Sequence, residues 1–193
     1  ATIGGNIANG SPIGDGPPAL IAMGCTLHLR RGDEMRSMPL QNFFLDYRKQ
    51  DRRPSEFVAG ISIPDAAPTL RCYKISKRFD QDISAVLGCF NLTIDDGTVT
   101  QARIAFGGMA GIPARALQAE MAAIGIDLDE PATWANALAE IGNDYAPIDD
   151  ARASAGYRSL IARNLFLKTL MEIAGIPAEI TRITGFEVPH AAE

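Results

Sequence analysis

The apolar positions of this chain shift repeatedly between a helical and a strand period, and each shift marks a new element. After a glycine-rich opening, residues 17–24 read as a short helix. Its prolines fall in the first turn, where a missing N–H is tolerated, a glycine ends it, and Asp15 is placed to cap it. Residues 25–30 alternate with period two, Gly32-Asp33 offers a turn and residues 34–40 return, which predicts a hairpin. A further strand covers residues 57–63 and ends at Pro64. Two prolines in Pro64-Asp65-Ala66-Ala67-Pro68 punctuate the pattern and place a domain boundary near residue 66.

Beyond that boundary, residues 70–77, 83–94 and 99–106 are β-branched or alternating, and Asp95-Asp96-Gly97 joins the last two as a hairpin turn. Together they predict a three-stranded antiparallel sheet. The remainder reads as helix. Residues 113–124 run from a proline to Gly125, and residues 131–141 follow Asp129-Glu130, acids that suit a helix N-terminus. The longest helix covers about residues 153–174, with Leu160, Ile161, Leu165, Leu167, Leu170, Met171 and Ile173 along one broad face before Gly175. The fold class is α+β: the end of one α+β domain over residues 1–66, then a three-stranded antiparallel sheet packed with a helical bundle over residues 67–193.

Composition narrows the function classes. At 193 residues and 47% hydrophobic the chain holds one large or two small domains with a real core. No stretch reaches the ~20 uninterrupted apolar residues of a membrane span, so a cytoplasmic protein is expected. A net charge of −5 argues against a nucleic-acid surface. Cys25, Cys72 and Cys89 lack metal-ligand spacing and read as buried thiols in a reducing compartment; with only His28 and His190 no protein-ligated metal is expected. The chain opens without a methionine and reads as a piece of a longer polypeptide.

The candidate chemistry begins at Thr2-Ile3-Gly4-Gly5-Asn6, continued through Ser11-Pro12 to Asp15. Two glycines among small polar groups let backbone N–H groups approach a diphosphate, though on residues alone an ordinary tight turn is the favoured explanation. Lys74 is equally a solvated strand lysine and Val58 equally core, while a mixed-charge run such as Arg78, Asp80 and Asp82 is usually only a solvated turn. Tyr47 with Arg48 and Lys49 is an aromatic beside two cations, suited to a dinucleotide or to a plain surface. Nothing resembles a nucleophile and base pair; Asp95-Asp96 and Asp149-Asp150 are explained by turns and helix starts, so no catalytic acid or base is assigned.

The Thr2–Asn6 run resembles the second FAD-binding motif in the flavoprotein component of molybdenum hydroxylases. The resemblance extends through Phe43-Phe44-Leu45-Asp46-Tyr47-Arg48-Lys49, the segment from Tyr73 to Ser84, Phe106-Gly107-Gly108-Met109-Ala110 and Tyr157-Arg158-Ser159-Leu160-Ile161-Ala162, and spans about residues 1–175. Within the family the Lys77-to-Asp82 loop and the Phe-Phe-x-x-Tyr-Arg-Lys segment point to the xanthine dehydrogenase type. The resemblance implies FAD as cofactor, held by Thr2, Ile3, Gly4, Gly5, Asn6 and Asp15, with Val58 and Lys74 beside the ring, Tyr47 as a contact to NAD, and the loop at Arg78, Asp80 and Asp82 tuning the flavin potential.

It further implies that electrons arrive from a molybdenum centre on a large subunit through two 2Fe-2S clusters and leave to NAD during purine oxidation. The molybdopterin, the clusters and the first FAD-binding region then lie outside this chain, in a hetero-oligomer. Three alternatives stay open: a flavin subunit of a carbon monoxide, aldehyde or aromatic hydroxylase; a relative using oxygen or a quinone in place of NAD; and a non-catalytic module that docks a partner subunit.

Overall fold

In the computed structural model, which describes residues 2–78 and 81–181, two groups of elements meet on one sheet. The first group runs α1 (Ile3–Asn9), α2 (Gly16–Ala22), β1 (Thr26–Arg31), β2 (Glu34–Pro39), β3 (Phe44–Asp46), β4 (Lys49–Gln50) and β5 (Phe57–Ser62). Strand β1 is central in an antiparallel sheet of order β2-β1-β5, and β3 with β4 forms a small separate hairpin. The second group runs β6 (Arg71–Ile75), β7 (Val86–Asp95), β8 (Thr98–Gly107), β9 (Ala114–Arg115), α3 (Leu117–Ala123), α4 (Ala135–Asp144), α5 (Ala155–Ile173) and α6 (Ala178–Thr181).

Strands β6 to β9 form an antiparallel sheet in sequence order, and its two faces serve two cores. On β7, Val86, Phe90 and Leu92 face α3, α4 and α5, while Leu87 and Cys89 face the first group, against Leu20 and Ile21 of α2. Burial on both faces explains why Val86 to Phe90 reads as a continuous apolar run rather than an alternation. Phe90 anchors the second core, stacked 5.5 Å from Phe166 and edge-on to Phe106 at 5.4 Å.

The α+β class is as expected, with local corrections. The sheet has four strands rather than three. Ala114–Arg115, expected as helix, instead pairs with Phe106 and Ala105 on the free edge of β8. The helix therefore starts later, at Leu117, where the Asp144 carboxylate at the end of α4 takes the amides of Gln118 and Ala119 at 2.9 and 3.0 Å. Residues Pro131–Trp134 wind as a 3-10 turn before α4. Along α5 the buried line is Arg158, Ala162, Leu165, Phe166, Thr169 and Leu170, and Leu160 is exposed. Asp15 precedes α2 but makes no side-chain cap.

An ion-pair network ties β2 to the approach of β5. Arg36 donates to Glu56 at 2.7 Å and pairs with Asp51 at 3.1 Å, and Glu56 is buried. The hydrogen bond from Arg36 holds the Glu56 carboxyl down at about 2. A depressed carboxyl lends stability that is complete above its unfolded value and lost as pH falls toward its folded one. Glu56→Gln is therefore expected to cost roughly 1–2 kcal/mol at neutral pH. Thermal melts should show that deficit shrinking between pH 5 and pH 2; a deficit independent of pH would contradict it.

Candidate functional site

The glycine run is the start of a helix rather than a tight turn. Thr2 takes an extended conformation as the N-cap of α1, its hydroxyl accepts the Gly5 amide at 3.0 Å, and Gly10 in the left-handed region ends the helix. Threonine, a preferred N-cap residue, was the local signal for a cap. A Cβ at Gly5 would lie 2.9 Å from the Thr2 hydroxyl oxygen, so a side chain there would force the capping hydroxyl to shift. The amides of Ile3 and Gly4 belong to the first turn, which has no intrahelical acceptors.

A cavity of about 520 Å³ opens at this end of α1, lined by Thr2, Ile3, Asn6, Asp15, Gly16, Ala19 and Leu20. Asp15 connects it to the second sheet. One carboxylate oxygen accepts from the Lys74 ammonium on β6 at 2.7 Å, and the other from the Ser84 hydroxyl at 2.5 Å. The fold thus brings Thr2, Ile3, Asn6 and Asp15 to one cavity and Lys74 to Asp15 across 59 residues of sequence. Ser84, almost fully buried, had no role in the sequence reading, because nothing local links a serine to a carboxylate 69 residues away. Val58 does not line the cavity. Its Cγ1 sits 3.6 Å from where a Cβ on Gly4 would be, so it backs α1 from β5.

A second cavity, of about 530 Å³, takes Ser11, Pro12 and Ile13 from the α1–α2 loop, Tyr47, and Arg152 and Arg158 from the second group. One loop thereby contributes to both cavities. Arg48, at a positive φ of 57° in the β3–β4 turn, lays its guanidinium 5.4 Å from the centre of the Tyr47 ring. Tyr47 is exposed, so ring and cation present a flat, charged face.

In the loop after β6, Asp82 accepts from the Arg78 guanidinium at 2.9 Å and from its amide at 3.0 Å, and Arg78 holds the Asp82 carboxyl well below the usual range. Asp80 lies outside the described residues, as does His190. His28 sits on β1 between Ser37 and Ser62, both 2.7 Å from its ring nitrogens, on the solvent side of the sheet. Cys25 and Cys89 are buried, but Cys72, expected to be buried, is exposed because β6 is an edge strand. Among the described residues no His, Cys, Asp or Glu cluster could hold a metal ion, and no helix is long and apolar enough to cross a membrane.

Residues 1–66 match the model of the FAD binding domain in molybdopterin dehydrogenase, and residues 71–173 that of the CO dehydrogenase flavoprotein C-terminal domain. The nicotinate hydroxylase hnxS of Emericella nidulans is 32% identical over 87% of this chain, and a xanthine dehydrogenase of the same fungus is 31% identical over 87%. This chain spans 13% of the length of each. A solved structure of reconstituted CO dehydrogenase from Oligotropha carboxidovorans superposes with a TM-score of 0.82 at 23% identity, over 92% of this chain and 62% of that one, which establishes the shared fold.

Proposed function

The chain belongs to the flavoprotein family of the molybdopterin dehydrogenases, and from that premise we propose that it is the FAD-binding part of a xanthine dehydrogenase that delivers electrons to NAD. In this reading residues 1–66 close the FAD-binding domain and residues 67–193 form the C-terminal domain. The observation that carries it is the convergence of Thr2, Ile3, Asn6 and Asp15 on one cavity, with Lys74 ion-paired to Asp15 at its edge.

The donor set fits FAD. The Thr2 hydroxyl, the Asn6 carboxamide and the first-turn amides of α1 suit a diphosphate, and Ile3, Ala19 and Leu20 give an apolar wall. Gly4 and Gly5 keep that helix start free of side chains, and Val58 holds it against β5. When bound there, FAD supplies two-electron carriage between an electron donor and a nicotinamide. Lys74 places a positive charge on the same side, moderated by Asp15, and Ser84 fixes the carboxylate so that the pair keeps its geometry. Their part is positioning and electrostatics, with no proton transfer assigned to any side chain.

The second cavity is the proposed seat of NAD. Tyr47, with Arg48 laid over it, offers a stacking face, and Arg152 offers a cation for phosphate. In the complete enzyme Tyr47→Ala is expected to raise the KM for NAD about tenfold, equivalent to ~1.4 kcal/mol of binding, with the KM for the reducing substrate unchanged. An unchanged KM for NAD would remove Tyr47 from that site.

The molybdenum-binding large subunit, the two 2Fe-2S clusters with molybdopterin, and the first FAD-binding region are the proposed partners in a hetero-oligomeric enzyme of the cytoplasm. A second reading, a hydroxylase of another nitrogen heterocycle, is favoured by one observation: the nicotinate hydroxylase relative is as similar as the xanthine dehydrogenase. Turnover of the complete enzyme with xanthine and with nicotinate, followed by NADH formation, decides between them. NADH formed with xanthine and not with nicotinate supports the first reading.

A further inference from the structure

Outside both cavities, the second sheet carries a pair of thiols that neither the flavin nor the nucleotide reading uses. Cys72 on β6 stands directly opposite Cys89 on β7 in an antiparallel ladder. Directly opposed residues share a face, and their Cα atoms lie about 4.5 to 5.5 Å apart in either class of antiparallel pair. That spacing falls inside the window of about 4.4 to 6.8 Å that a disulfide bridges. On that shared face the two cysteine side chains are direct neighbours across the ladder.

The environments of the two are unequal. Cys72 is exposed on an edge strand, where an oxidant in solvent reaches it. Cys89 is fully buried against α2. The neighbouring Cys89 thiol holds the Cys72 thiol below its ordinary value; the same pairing, with burial, pushes Cys89 up. Cys25 is the internal contrast: it lies just before β1, it is buried, and burial raises it.

We propose that Cys72 and Cys89 are a peroxide-responsive dithiol that closes to an intramolecular disulfide across β6 and β7. The Cys72 thiolate attacks one oxygen of hydrogen peroxide. The O–O bond breaks, a sulfenic acid forms on Cys72, and the departing hydroxide takes up the proton that Cys72 released, giving water. The Cys89 sulfur then attacks the Cys72 sulfur, the S–O bond breaks, and the leaving hydroxyl carries the Cys89 proton away as a second water. Two thiols are oxidised, one peroxide is reduced, and two electrons move in all. A dithiol reductant reverses the bond by exchange. The bridge would tie the edge strand that bears Lys74 to the central strand beside it, locking β6 in register.

The test uses the full-length protein treated with hydrogen peroxide, alkylated and mapped by peptide mass. The expected product is a Cys72–Cys89 peptide that has lost two hydrogens and gained no oxygen, restored to two alkylatable thiols by dithiothreitol, with Cys25 unreacted. In Cys89→Ala, dimedone should label Cys72, whereas the wild type should give no label. Cys72→Ser changes an exposed side chain and leaves the fold intact; in it Cys89 should survive the same treatment. The proposal is overturned if both thiols remain alkylatable under conditions that oxidise free glutathione. It is overturned equally if Cys72 links two chains to each other, or if Cys89 reacts in Cys72→Ser as fast as in the wild type.

Discussion

Arg158→Ala is expected to cost the fold about 3–5 kcal/mol, the range seen when one partner of a buried charged network is removed. The Arg158 side chain is 2% exposed, and its guanidinium joins three separate stretches of the chain. One terminal nitrogen donates to the carbonyls of Ala85, at the entry to β7, and Gly108, just past β8, the latter at 2.8 Å; the other donates to Asp150 at 2.7 Å. Alanine leaves two carbonyls without their donor, a carboxylate without its cation, and a void at the head of α5. For a chain of this size the loss lowers Tm by roughly 10 °C. Arg158→Lys should recover little, because one ammonium cannot span all three partners. Thermal and urea unfolding measure it, and a Tm within a degree or two of wild type would show that the clamp is not holding these stretches together.

Gly5→Val in the full-length flavoprotein is expected to weaken FAD binding about a hundredfold, close to 3 kcal/mol, while costing the fold only about 1 kcal/mol. The added Cβ collides with the Thr2 hydroxyl that caps α1, and the branched side chain stands over the first-turn amides. Thr2→Ala is the graded version, removing the hydroxyl while leaving the amides open, and should weaken binding about tenfold. The flavin-to-protein ratio after purification and a fluorescence titration of the apoprotein read both. Stoichiometric flavin in Gly5→Val would detach α1 from the diphosphate.

Both predictions rest on contacts that differ in how far the sequence reveals them. The hairpin of β1 and β2, the Asp95-Asp96-Gly97 turn and the long α5 were legible because their signals are local: alternation, a turn pair, a helical period closed by glycine. Asp96 and Gly97 indeed take positive φ, as a tight hairpin turn requires. Strand β9 was not legible, since Ala114–Arg115 is strand only because the edge of β8 is free to pair with it. The inward face of α5 was misread at Leu160 because an arginine, Arg158, takes a core position that a hydrophobic count gives to leucine.

The site shows the same division. Thr2–Asn6 stands out as a motif, but its helical geometry depends on a threonine cap rather than on its glycines. The Lys74–Asp15–Ser84 network is built entirely by long-range packing of α2 against the second sheet, so no spacing in the sequence announces it. Cys72 was misjudged for a related reason: its apolar neighbours describe a strand, and only sheet order makes that strand an edge.

The most direct test of the account is a crystal structure of the full-length flavoprotein with FAD bound. The account predicts the diphosphate within hydrogen-bond distance of the Thr2 hydroxyl and the first-turn amides of α1, with Lys74 on the ring side of Asp15. A diphosphate seated away from α1, with the Thr2 to Gly16 cavity filled only by water, would contradict it.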